Sequence, residues 1–156
     1  MGLDITAVSR VFRKGERPDL VRLAELGIAD IQKVAEIQDP GKWDHAEAGE
    51  YWSSPDSVEL EHRLGSYGSY HAFRQELFNL FHGQPEFREI FQSNDHSSVF
   101  GAEACKKIYR DFENGLSRAE VYFHQAEDER GDFIRIYTRM LEAFRLGADD
   151  GIVYFC

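Results

Sequence analysis

The sequence predicts an α+β domain: a small sheet of N-terminal, central and C-terminal strands packed against three or four helices. Three observations carry that prediction. Leu3–Phe12 and Val58–Leu64 alternate apolar with polar residues, and the first is rich in Val, Ile and Thr, the pattern of a half-buried strand. Apolar residues recur at three- and four-residue spacings in the segments near 69–82, 102–123 and 130–146, the period of a helix face. The chain then turns at Asp149-Asp150-Gly151 and closes on Ile152-Val153-Tyr154-Phe155, a final strand. With 156 residues the chain fits one domain, 1–156, large enough for a real core. A hydrophobic content of 42% with twelve Phe and seven Tyr excludes wholesale disorder and points to an aromatic core or an aromatic-lined pocket.

In chain order, Asp4 sits near the start of the first strand, as an edge residue or as a carboxylate lining a site. The Met-Gly start with Thr6 matches the N-myristoylation pattern formally, but Leu3, Ile5, Ala7 and Phe12 read as strand. Arg13–Pro18 is a charged turn, and Pro18 suits the first position of a helix. Leu20, Leu23, Ala24, Ile28, Ile31, Val34 and Ala35 continue at helical spacing. Gly27 interrupts them, giving two short helices or a helix followed by a strand. Asp39-Pro40-Gly41 is a turn. Residues 42–57, with Trp43, His45, Tyr51 and Trp52, show no period and read as an irregular loop, a place where function concentrates.

After the central strand, Gly65-Ser66-Tyr67-Gly68-Ser69-Tyr70 reads as a loop leading into a helix from about Ser69 to His82, with Phe73, Leu77, Leu80 and Phe81 inward. Gly83 and Pro85 end it. Phe87–Phe91 is a short amphipathic segment, and 92–98 is a polar run able to cap a helix. The helix after Val99-Phe100-Gly101 is long, and Gly115 bends or divides it. The last helix stops at Gly147.

Lys plus Arg is 18 and Asp plus Glu is 28, a net charge of −10. That balance argues against broad nucleic-acid binding, which needs a basic surface. No segment approaches the ~20 apolar residues of a membrane span. Cys105 and Cys156 are too few for a disulfide framework, which favours a reducing compartment. The six histidines form no H-x-x-x-H pattern, so neither a metal nor a cofactor is expected. A loose site from Asp44, His45 and Asp95 is the only metal alternative.

Two constellations carry chemistry. Arg63, Gly65, Ser66, Tyr67, Gly68, Ser69, Tyr70 and Arg74 combine flexible glycines, hydroxyls, flanking guanidinium groups and aromatic rings. At a helix start such a set suits phosphates, with a base stacked on Tyr67, Tyr70 or Trp52. The bland alternative is a glycine-rich connection with tyrosines buried against the sheet. The loop is neither a Walker motif nor G-x-G-x-x-G. The second set, around Asp95 and His96, suits ligand orientation, acid–base work or plain capping.

Four blocks together are similar to one family. The start MGLDITA, the GSYGSY loop followed by Phe73-Arg74, the helix entry Ser93–Glu103 and the tail Ala148–Phe155 resemble a family of small phage and prophage proteins. The resemblance implies a phage-type gene product acting in the cytoplasm of a bacterial host, and it assigns no reaction to any residue. His96-Ser97-Ser98 stands where that pattern has a more acidic, glycine-containing run.

The expected function is non-enzymatic: binding and sequestering a small anionic, nucleotide-like signal, cyclic nucleotides included, against host defence. One alternative is an acidic inhibitor of a host defence protein. Another is a small hydrolase using Asp95 and His96. A sheet edge open to a second copy favours a homo-oligomer.

Overall fold

The computed structural model describes residues 2–38, 45–82, 85–93, 98–125 and 131–156, with backbone only at 123–125. The chain is an α+β domain, as the sequence predicts. Its main sheet is antiparallel, in the order β5-β1-β7-β6, from β1 (Gly2–Val8), β5 (Glu59–Ser66), β6 (Val99–Gly101) and β7 (Ile152–Phe155). The expected N-terminal, central and C-terminal strands are thus direct neighbours.

One face of this sheet carries α2 (Tyr67–Leu80), α4 (Ala102–Gln125) and α5 (Asp132–Gly147). Alternation decides which side chains meet them. Leu3, Ile5 and Ala7 of β1 join Val153 and Phe155 of β7 in the main core with Phe73, Leu77, Phe112, Tyr137 and Phe144. Asp4, Thr6 and Val8 point the other way, and Val8 and Ile152 pack on a second, three-stranded sheet through Ile37 and Tyr51. That sheet has the order β2-β4-β3, from β2 (Phe12–Arg13), β3 (Lys33–Ile37) and β4 (Gly49–Trp52). Tyr51 faces the main sheet, while its neighbour Trp52 packs with Phe12, Ile31 and Val21 of α1 (Pro18–Glu25).

Four expectations are corrected. The first strand ends at Val8 because the chain changes sheets: Arg10 takes φ 52 and is tied by ion pairs to Asp56 and Asp149, each at 3.0 Å. Of the two readings after Pro18, the helix followed by a strand is the one observed, and it is no correction: the helix stops at Glu25, Gly27 takes φ 75, and the next apolar run is β3. The irregular loop at 42–57 contains β4. The Gly65–Tyr70 loop does not exist as a loop: β5 runs through Ser66 and α2 begins at Tyr67. Gly65 takes φ 129 opposite a register shift at Leu3/Asp4. Gly115 does not divide α4, which runs unbroken from Ala102 to Gln125.

The outer edge of β5 is obstructed near its end. Arg135 Nη2 donates to the Leu64 carbonyl at 3.0 Å, and Arg139 Nη1 donates to the Arg63 carbonyl. Guanidinium groups there take acceptors that a second strand would need. No described helix is long and apolar enough to cross a membrane.

Candidate functional site

The head of α2 is closed by its own side chains. Ser66 is the N-cap, and its Oγ accepts from the Ser69 N–H at 3.1 Å. The two hydroxyls lie 3.0 Å apart. A shallow groove of about 320 Å³ beside Gly68 and Ser69 is lined by Glu76 and Asp132, which oppose a phosphate. Arg135, the nearest guanidinium, is held by Asp132 at 3.3 Å.

The aromatic half of the expected pocket is not assembled either. Tyr70 is fully buried, its ring near Phe73 and Phe155, so it offers no face to a ligand. Trp52 lies in the core under α1, in the other sheet. Tyr67 is half-buried against the main core. Arg63 projects from the outer face of the sheet and pairs with Asp4 at 3.1 Å. Arg74 bonds to the Phe91 and Ser93 carbonyls at the end of the next helix, so the two arginines do not flank one loop. Asp95, His96, Asp44 and Trp43 lie outside the described residues. Among the described residues, no three His, Cys, Asp or Glu side chains gather to hold a metal ion.

Arg74 belongs instead to a groove of about 480 Å³ lined by His71, Arg74, Gln75, Phe78, Asn79 and Phe91. Five of the six come from α2 at positions i, i+3, i+4, i+7 and i+8, one helix face. The sixth comes from α3 (Arg88–Gln92). The inward face of α2 is the stripe Tyr70, Phe73, Leu77 and Phe81, so α2 carries two stripes, one for the core and one for the groove. Arg74 Nη2 donates to the Phe91 carbonyl at 2.9 Å and to the Ser93 carbonyl at 3.4 Å. These bonds tether the end of α3 beside α2. The guanidinium also stands 5.8 Å from the centre of the Tyr70 ring, an additional cation–π attraction. Phe78 is 46% exposed and meets Phe91 edge-on at 5.4 Å. His82 continues the stripe at i+11, with its ring 5.0 Å from that of Phe78. His71 and Gln75 sit one turn apart, their Nε2 atoms 3.4 Å from each other.

Charge separates this groove from the others. A cleft of about 670 Å³ between the two sheets includes Arg13, Glu16, Glu47, Glu103 and Asp150 in its wall. Arg13 there is already paired with Glu47 at 2.8 Å and Glu16 at 3.4 Å. A pit of about 150 Å³ beside Arg118 includes Glu86. Of these four clefts, the Arg74 groove alone has no carboxylate among the described residues of its lining. In a chain of net charge −10, that is where an anion meets least repulsion.

Of the residues predicted from sequence, Arg74 alone lines this groove; His71, Gln75, Phe78, Asn79 and Phe91 are not in the predicted set. The signal was present: His71-x-x-Arg74-Gln75-x-x-Phe78-Asn79-x-x-His82 places cationic, amide and aromatic groups on one face. Compared with protein-family models, curated proteins and solved structures, the chain matches none.

Proposed function

We propose that this protein binds a small, anionic, nucleotide-like molecule in the Arg74 groove and holds it without chemical change. The observation that carries the reading is the groove lining: a guanidinium, an imidazole, two amides and two phenyl rings, with no carboxylate among the described residues. Arg74 supplies the charge, and the Phe78 and Phe91 rings supply apolar surface for a planar group. A base stacked on an aromatic side chain contributes about 1–3 kcal/mol, and a charge-assisted hydrogen bond about 1.5–3 kcal/mol. Gln75 and Asn79 each offer a donor and an acceptor for a ring edge. The resemblance to phage and prophage proteins suggests the biological use: removing a host defence signal from the cytoplasm of an infected bacterium.

Isothermal titration calorimetry against cyclic and linear nucleotides tests the reading. Binding that weakens at least tenfold in both Arg74→Gln and Phe78→Ala supports it. No heat from any nucleotide at tens of micromolar protein contradicts it.

A second reading, an acidic inhibitor of a host defence protein, draws on three apolar side chains exposed around the end of α1: Leu23, Leu26 and Ile28, the last 70% exposed. Scattered exposed leucines are ordinary, so this reading ranks below the first. A stoichiometric complex with a host protein, abolished by Leu26→Ser with Ile28→Ser, would reverse that order.

A further inference from the structure

We infer that the groove selects a planar ring bearing a single negative charge, as in a 3′,5′-cyclic nucleotide or a ring carboxylate. The same ring bearing a phosphate monoester or a polyphosphate is disfavoured. The inference rests on the ligand-binding reading above and adds the charge state of the ligand.

Among the described residues, Arg74 is the one fixed cation in the lining. Both planar forks of a guanidinium include Nη2, pairing it with Nε on one side and with Nη1 on the other. Here Nη2 is committed to the Phe91 and Ser93 carbonyls. The groove therefore offers an anion separate N–H contacts from Nη1 and Nε, and no two-pronged clamp. A phosphate monoester carries about −1.5 to −2 charge and three terminal oxygens. Among the described residues of the lining its surplus charge finds no second lysine or arginine, and it lies in the field of a chain of net charge −10. A diester or carboxylate brings one charge to one cation.

Selectivity for the ring comes from other groups. Phe78 and Phe91 present apolar surface, and Gln75 and Asn79 present amides that can donate or accept. Charge thus decides the class of anion, and the amides decide among rings.

The test titrates the intact protein with cyclic AMP, AMP, ATP, adenosine and indole-3-carboxylate at physiological salt. Cyclic AMP or indole-3-carboxylate is expected to bind at least tenfold more tightly than AMP, ATP and adenosine. The stronger of the two identifies the source of the monoanion. In Arg74→Gln, the advantage of cyclic AMP over adenosine falls to less than threefold. AMP or ATP binding as tightly as the monoanions overturns the inference while leaving the ligand-binding reading intact. Equal binding of adenosine and cyclic AMP by the unaltered protein overturns it as well. Absence of binding by all five overturns the reading on which it rests. The wild-type ranking stands even if Arg74→Gln proves unstable.

Discussion

Arg74 donates through Nη2 to the backbone carbonyl of Phe91, at 2.9 Å. With the longer bond to the Ser93 carbonyl, it ties the end of α3 to α2 along the groove. Arg74 is half-buried, and Arg74→Gln breaks the charge-assisted bond and leaves the Phe91 carbonyl without this donor. A loss of about 1.5–3 kcal/mol in unfolding free energy is expected, measured by urea denaturation. Arg74→Lys keeps the charge without the planar group, so it falls between wild type and Arg74→Gln.

Gly115 reverses the usual preference for alanine in a helix. A Cβ there would lie 2.7 Å from Phe81 Cζ and 2.8 Å from Tyr137 Oη. In an open helix Gly→Ala gains close to 1 kcal/mol. Here overpacking costs about 1–3 kcal/mol, and the tight contact falls on two core rings. Gly115→Ala is expected to lower the melting temperature, read by circular dichroism. An increase would show that the core gives way around it.

Tyr70 belongs to the core, and its substitution should show that. Tyr70→Ala deletes a fully buried ring that faces Phe73 and Phe155, and a loss of about 3–5 kcal/mol is expected. A variant with wild-type stability but impaired ligand binding would restore the view of Tyr70 as a ligand contact.

Alkaline pH should weaken the fold. Burial, reinforced by the Asp111 carboxylate, pushes the Tyr137 phenol well above its ordinary range. Burial likewise raises Tyr51, Tyr154 and the Cys105 thiol. Each of these groups holds its proton more tightly in the folded chain than in the unfolded one. Their stabilisation is complete below the unfolded values, about 8.5 for a thiol and about 10 for a phenol. It is lost as pH rises from those values toward the folded ones. Urea midpoints at pH 8 and pH 10.5 measure the loss. Tyr137→Phe should reduce the pH dependence while removing the bond its hydroxyl donates to the Phe112 carbonyl at 2.6 Å.

Much of the fold was legible because its periodicities are long and consistent. β1, β5 and β7 alternate, and α4 and α5 repeat apolar residues over several turns. β4 was not legible. Four residues, Gly49-Glu50-Tyr51-Trp52, are too few for a period, and their strand character comes from pairing with β2 and β3 on either side. The boundary at α2 misled because glycine and serine suggest a loop, whereas Gly65 serves a register shift and Ser66 a cap. The site was half legible. Arg74 stood out as a charge near a helix start. Its companions lie on the stripe beside the apolar one, and a search for the buried face of α2 passes over them.

The most direct test follows backbone amide shifts by two-dimensional NMR while cyclic AMP is titrated into the uniformly labelled protein. The account predicts perturbations concentrated at His71, Arg74, Gln75, Phe78, Asn79 and Phe91, with Gly65–Ser69 and the Arg13–Glu47 cleft little changed. Perturbations confined to Gly65–Ser69 or to that cleft, or none at millimolar nucleotide, would contradict it.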